Sequence, residues 1–247
     1  YKILKLMHDK LVVTQRKLVM SIIKKKPNNY EPKNIRTIGN GDVIHNFEEK
    51  CNNLVFSSSC AVYGTPDCLP VAETAPLVPT SPYGLSKLMC ENHIQYHTLT
   101  NDCSAICLRY FNVIGSDPDM EVGENHAPEP HILPNIIDAA INGTEFTLFG
   151  NDYPTKDGTN VRDYIDVNDL AKLHILALEK CLNSQYANCD SINLGTGIGY
   201  SNLDLVRIVE DTLGKKINIK FAPRRSGDAV ALTSDVEKMR SKLPLGA

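Results

Sequence analysis

Tryptophan is absent from this 247-residue chain, and aromatic residues of all kinds amount to 6%. Long apolar runs are missing too. None approaches the roughly 20 residues of a membrane-crossing helix, and no secretory-leader pattern opens the sequence. Neither sign of charge dominates: 26 Lys and Arg stand against 29 Asp and Glu, a formal net charge of -3, which excludes the basic footprint of a nucleic-acid-binding protein. The cysteines at 51, 60, 68, 90, 103, 107, 181 and 189 include no Cys-x-x-Cys. They read as reduced thiols of a cytoplasmic protein, not as a disulfide framework or a metal site. Asn142-Gly143-Thr144 has the form of a glycosylation sequon, but in a cytoplasmic chain it is a turn after a helix. The remainder, 42% hydrophobic and 22% charged, is the composition of a soluble chain able to bury a substantial core.

The stretch from 52 to 87 organises what is there. Leu54, Val55 and Phe56 form a continuous apolar run that turns abruptly into Ser57, Ser58 and Ser59. A strand buried on both faces reads this way as it emerges at the carboxyl edge of a sheet, where ligands bind. Further on, Ser81 is a helix cap, Pro82 sits in the first turn, and Tyr83 and Lys87 stand four apart on one helical face. A phenol with an ordinary pKa of about 10 is a poor base near neutral pH, and an ammonium one turn away favours its ionised form. With a strand-end serine facing it, the set supplies a base, a charge that tunes it and a proton relay for an alcohol. Tyr-x-x-x-Lys is common by chance; the order of strand, serines and capped helix singles this one out.

Reading in chain order, Leu11, Val12, Leu18, Val19, Ile22 and Ile23 make an apolar helical stripe broken by Lys24-Lys25-Lys26-Pro27-Asn28-Asn29. Gly39-Asn40-Gly41 mimics the start of a dinucleotide fingerprint, but Ile44 stands where the third glycine belongs, so a turn into a short helix over 42–50 is the reading. The pattern predicts a helix over 82–100 and a strand over 103–112, then a loop over 116–130. A helix over 131–142 and a strand over 145–149 follow. After the loop 150–160 come a strand over 161–167, a helix capped at Asn168 or Asp169, and a strand over 191–194. A helix over 203–213 with Ile208 and Val209 buried, a strand over 217–221 and a last helix over 234–243 complete the chain. Strands alternating with helices, without internal repeats, indicate an α/β sheet with a smaller second lobe. His93 and His97 are four apart, but with no third ligand in view they are exposed helix histidines, and no metal is expected. Arg162 and Arg225 offer fixed donors matched to phosphate oxygens and could clamp a diphosphate from two segments; for Arg162 a surface ion pair with Asp163 is the other reading.

Phe56-Ser-Ser-Ser-x-x-Val-Tyr-Gly64 and Ser81-Pro-Tyr-Gly-x-Ser-Lys87 resemble the UDP-glucose 4-epimerases of the extended short-chain dehydrogenase/reductase superfamily. Leu108-Arg-Tyr-Phe-Asn112, Phe149-Gly-Asn-Asp-Tyr153, Asp157-Gly-Thr159, Val161-Arg-Asp-Tyr-Ile165, Asn193-Leu-Gly-Thr-Gly197 and Ala222-Pro-Arg-Arg225 through Asp228 resemble the family's runs in the family's order. The likeness covers residues 52 to 240. It implies a partial Rossmann-like, doubly wound parallel sheet with a smaller C-terminal substrate lobe. Residues 1–115 would be an incomplete NAD-binding part, poorly matched over 1–51, and 116–247 mainly a substrate-binding lobe with segments returning to the sheet. Both ends look short of a complete family member, and the glycine fingerprint is not seen.

By this resemblance Ser59, the last serine before Cys60-Ala61, joins Tyr83, Lys87 and Phe111 around the nicotinamide and the sugar. Asn112, Ile132, Phe149, Arg162, Arg225 and Asp228 line the uridine diphosphate site, with Phe149 facing uracil and Asp228 the ribose. Leu232 limits the room beside the sugar's 2-substituent, and His131 stands where relatives carry another polar residue. The activity implied is NAD-dependent inversion at C4 of a UDP-hexose through a 4-keto sugar, in a homodimer paired less tightly than its relatives because the helix over 42–50 is short and polar. A UDP-xylose and UDP-arabinose 4-epimerase and a non-catalytic nucleotide-sugar-binding fragment are the alternatives. A 4,6-dehydratase would want an acidic pair where Cys60-Ala61 stands.

Overall fold

The computed structural model describes residues 37–38, 52–101, 103–119, 123, 126–183 and 189–245. The apolar stripe of Leu11 to Ile23, the Gly39-Asn40-Gly41 turn and the helix expected over 42–50 lie outside the described residues. Among the described residues the first sheet is parallel throughout: β1 (Thr37–Ile38), β2 (Asn53–Ser57), β3 (Ser104–Tyr110) and β7 (Cys189–Leu194) lie side by side in that order. Every residue of β3 is buried, as a central strand covered on both faces requires.

The pleat sends alternate side chains to opposite faces. On one face Leu54, Phe56, Ala105 and Cys107 pack with Ile94 of α1 (Pro82–Thr100). On the other, Val55, Ile106, Leu108 and Ile192 pack with Leu170, Leu173 and Ala177 of α3 (Val167–Leu182) and with Met239 of α5 (Glu237–Lys242). Helices on both faces of a parallel sheet make it doubly wound, as expected.

A second core joins Ile136 and Ala139 of α2 (Ile132–Asn142) to Leu148 of β5 (Glu145–Phe149). Tyr164 of β6 (Val161–Asp166) and Leu205, Val206 and Val209 of α4 (Asn202–Leu213) complete it. β5 pairs in parallel with β9 (Asn218–Ala222). β6 lies between β4 (Asn112–Ile114) and β10 (Ala231–Leu232) and also pairs antiparallel with β8 (Gly199–Ser201). No described helix is long and apolar enough to cross a membrane.

Several boundaries differ from the sequence reading, each for a local reason. The strand expected over 103–112 ends at Tyr110: Phe111 gives its N–H to Leu194 O, and the chain then changes sheets to pair Asn112 with Tyr164. α3 is capped by Asp166, whose carboxylate accepts the Asn168 N–H at 2.8 Å, so Asn168 and Asp169 already lie in the first turn. α4 begins at Asn202 behind a capping box of Ser201 and Asp204. Its buried stripe is Leu205, Val206 and Val209, which leaves Ile208 47% exposed. β7 starts earlier, at Cys189, and β9 is shifted by one residue to Asn218–Ala222.

The last helix starts only at Glu237 because Ser234 is engaged elsewhere. Its N–H and Oγ donate at 3.0 and 2.5 Å to Asp163, which also accepts Thr196 N and Oγ1 and Gly197 N. Asp163 is fully buried and bound by five donors, so the surface Arg162–Asp163 pair does not form; the carboxylate ties β6 to the segments after β7 and β10.

Candidate functional site

The pleat that builds the sheet also distributes the serines at the end of β2. Ser57 points to the α3 face, where its Oγ lies 3.1 Å from His174 Nε2. Ser58 points to the α1 face and hydrogen-bonds Glu91 Oε1. Ser59, in extended backbone, caps a 3-10 turn over Cys60–Tyr63 and accepts the Ala61 N–H at 3.2 Å.

α1 closes onto this turn because residue 84 is glycine: a Cβ there would meet Ala61 O at 2.4 Å. Ser81 accepts the Gly84 N–H at 3.1 Å, and Pro82 opens the helix, as the sequence indicated. The approach sets the Tyr83 phenol beside Ser59, near enough for the serine to bear on its ionisation. It also places the Lys87 ammonium 5.6 Å from the Tyr83 ring centre. Lys87 is wholly buried, donates to Ser57 O at 2.8 Å and lies 5.1 Å from the Phe56 ring centre. Ser59, Tyr83 and Lys87 therefore stand together.

The electrostatics differ from the expectation. Burial pushes the Tyr83 phenol well above its usual value, with Tyr110 and Cys60 adding to the effect and Ser59 opposing it. The ammonium one turn away does not overcome burial, which also pulls Lys87 down to about 8. Phe111 and Leu232 pack with Cys60 beside the serines, and Leu232 pairs in register with Arg162.

The second group lies between β5, β6 and the segment after β9. Arg225 donates to Asp228 at 3.1 Å, and its guanidinium sits 5.1 Å from the ring centre of Phe149, which is 38% exposed. Arg162 donates to Val161 O at 2.8 Å and shares an electrostatic neighbourhood with Asp228, Tyr153 and Tyr164. The hydroxyls of Tyr153 and Tyr164 are buried with no hydrogen-bond partner among the described residues. Orphaned phenols beside arginines suit a polyanionic ligand. Asn112 borders this group by pairing with Tyr164, whereas Ile132 packs against the second core.

Sequence reasoning missed three participants. Arg224 lies 4.2 Å from the Tyr153 ring centre and pairs with Asp152 at 2.6 Å. Glu91 and Arg109 form a buried bidentate pair that extends through Tyr63 to Asn193. An arginine inside a wholly apolar strand pattern was the available signal, since a buried charge demands a partner. His174 is the third, on the buried stripe of α3.

For a cofactor, the described residues present Lys87, with three N–H donors and one protein acceptor, together with Ser59 and Tyr83; donors of this kind fit ribose hydroxyls. His126, Glu129 and His131 could meet a metal, their ligand atoms lying within 4.8 Å of one another. Glu129 Oε1 is already taken by the His131 N–H at 2.8 Å and faces His131 Nδ1 at 3.1 Å, so the cluster closes on itself at the start of α2.

Residues 27–195 match the model of the NAD dependent epimerase/dehydratase family. The chain is 47% identical over 191 residues to a UDP-glucose 4-epimerase of Lactobacillus helveticus, covering 77% of this chain and 57% of that protein. It is 47% identical over 193 residues to one of Bacillus subtilis, covering 77% and 56%. The chain thus spans little more than half the length of these curated relatives. Among solved structures, a UDP-glucose-4-epimerase of Stenotrophomonas maltophila with bound NAD and formylated UDP-arabinopyranose superposes with a TM-score of 0.73 at 36% identity, over 85% of this chain and 68% of that one. The Bifidobacterium longum enzyme in complex with NAD+ and UDP gives 0.75 at 35% identity, over 80% and 59%.

The buried ammonium generates a test. Between about 8 and the ordinary 10.5, the unfolded chain keeps the proton that folded Lys87 has released, so this group's contribution to stability rises with pH. Lys87→Met should therefore stabilise the chain at pH 7, by on the order of 2 kcal/mol, and that advantage should shrink from pH 8 to 10. Buried thiols such as Cys60 act in the opposite sense, so the difference between variant and parent in urea unfolding isolates Lys87. A constant difference across that range would contradict the burial argument.

Proposed function

The chain belongs to the NAD dependent epimerase/dehydratase family, and we propose that it inverts C4 of a UDP-hexose, interconverting UDP-glucose and UDP-galactose. The observation that carries this reading is the grouping of Ser59, Tyr83 and Lys87 at the carboxyl edge of a doubly wound sheet. Relatives named UDP-glucose 4-epimerase support it. NAD, held through its ribose by Lys87 and flanked by Ser59, Tyr83 and Phe111, supplies a reversible hydride acceptor.

Tyr83 takes the proton of the sugar 4-hydroxyl, and Ser59 holds or relays it. Because burial holds the phenol protonated, Tyr83 becomes a base only when a further positive charge stands beside it, which confines proton removal to the loaded site. Arg162 and Arg225 clamp the diphosphate, Phe149 faces the uracil, Asp228 the ribose, and Asn112 and Ile132 complete the nucleotide end. The sheet packed between α1 and α3 forms the cofactor half, and the second core the substrate lobe. Free cysteines among the described residues are in keeping with a cytoplasmic location.

Replacing Tyr83 by Phe removes the proton acceptor and should lower turnover of UDP-galactose by about a thousandfold. UDP affinity, measured by calorimetry, should stay within about twofold, since Tyr83 lies in the other group. Turnover at the parent rate would remove Tyr83 from the mechanism, and UDP-xylose run in parallel tests the pentose alternative.

Leu232 bears on substrate choice because it packs with Cys60 and Phe111. Its apolar bulk offers an N-acetyl group no hydrogen-bond partner, so kcat/KM should favour UDP-glucose over its N-acetyl counterpart by about tenfold. Leu232→Cys should narrow that ratio; an unchanged ratio would take Leu232 out of substrate selection.

The exposed face of α1 supports assembly as a homodimer through that helix. Leu85, Met89, Tyr96 and Leu99 are 50–69% exposed and recur at helical spacing, an apolar stripe that a second copy would cover. Sedimentation velocity should give a dimer that Met89→Lys dissociates; a parent chain monomeric at micromolar concentration would refute it.

A further inference from the structure

We propose that His174 is a positioning residue for Lys87, acting through Ser57. The inference deepens the proposed function, on which it rests for the role of Lys87, but its structural content stands apart from turnover.

Ser57 is gripped from both faces of the sheet. Its carbonyl oxygen accepts the Lys87 ammonium of α1 at 2.8 Å, and its hydroxyl lies 3.1 Å from His174 Nε2 of α3. Leu170 O, which can only accept, lies 2.8 Å from His174 Nδ1, so Nδ1 carries the ring proton. Burial holds the imidazole neutral, with His174 only 4% exposed. Nε2 is then an acceptor, and Ser57 Oγ must donate to it. One chain of hydrogen bonds therefore runs in a single sense of donation, from Ser57 into the ring and from the ring into the α3 backbone.

This matters because Ser57 is the last residue of β2. Beyond it the ladder to β3 stops: the Ser57–Leu108 register is the final one, and the Ser58 N–H turns back to Phe56 O at 3.0 Å. The peptide that receives the ammonium is thus held by strand pairing on its amino side only, and the hydroxyl bond to His174 supplies the other restraint. The groups that face Lys87 are Tyr83, Cys90 and Glu91 of its own helix and, from β2, the Phe56 ring and Ser57 O. Among the described residues, Ser57 O is the one that accepts a hydrogen bond from Nζ, so its aim sets where the ammonium rests beside Tyr83.

The test reads Lys87 directly, through the pH titration of its side-chain nitrogen by NMR in the 247-residue chain without cofactor. Ser57→Ala opens no large cavity and removes the donor. It should lower the titration midpoint by about one pH unit, because the charged ammonium loses a well-aimed acceptor. His174→Phe keeps the ring volume, removes the nitrogen acceptor and should do the same, and the double variant should go no lower than either single one. In His174→Gln the carboxamide oxygen reaches the place of Nε2, so the parent midpoint should return. An unchanged midpoint in Ser57→Ala would overturn the proposal. So would equal shifts in His174→Phe and His174→Gln, which a merely space-filling histidine predicts. Neither outcome depends on turnover, so a failed epimerase assay leaves the inference intact, and a failed titration leaves the epimerase reading intact.

Discussion

An ammonium taken out of water is tolerated only where something replaces its hydration, and the Lys87 contact with Ser57 O is where this fold does so. The replacement is partial. Among the described residues one carbonyl and two aromatic faces stand in for bulk solvent, and the charged form remains disfavoured, which is why Lys87 falls to about 8. Such a group is ready to donate further hydrogen bonds to a ligand that brings acceptors. Much of the local architecture serves to bring this side chain to the strand end: the capped first turn of α1, the glycine that lets it close on the 3-10 turn, and the end of the β2–β3 ladder at Ser57.

The same strand end illustrates how a period of two distributes chemistry. Consecutive serines cannot share a face, so Ser57 goes to α3 and Ser58 to α1, leaving Ser59 to cap the turn and meet Tyr83. Ser58 is absorbed by the Glu91–Arg109 pair, whose bidentate geometry and near-complete burial make it a structural strut. Breaking such a pair typically costs about 3–5 kcal/mol, far more than any exposed pair of the second group. The two ends of the site are therefore built differently. The serine end is largely buried; the arginine end carries exposed pairs, Arg225–Asp228 and Arg224–Asp152, free to exchange partners for those of a ligand.

Most elements, and the side chains that come together at the end of β2, were legible in one dimension. The apolar run of Leu54 to Phe56, the serines after it, the cap at Ser81 and the four-residue step from Tyr83 to Lys87 are local signals, and local signals survive in one dimension because backbone periodicity and capping act over a few residues. Phe149, Arg225 and Asp228, singled out by the family resemblance, lie in mutual contact through the Arg225 guanidinium. Only the tertiary structure decided the rest. That Asp163 leaves Arg162 for Ser234 and Thr196, that the strand breaks at Phe111 to enter another sheet, that α3 is capped at Asp166, and that His174 reaches Ser57 across 117 residues all depend on which donors lie nearest in space. Burial outweighs the lysine at Tyr83 for the same reason: desolvation comes from every atom packed around the phenol, and sequence spacing carries no record of them.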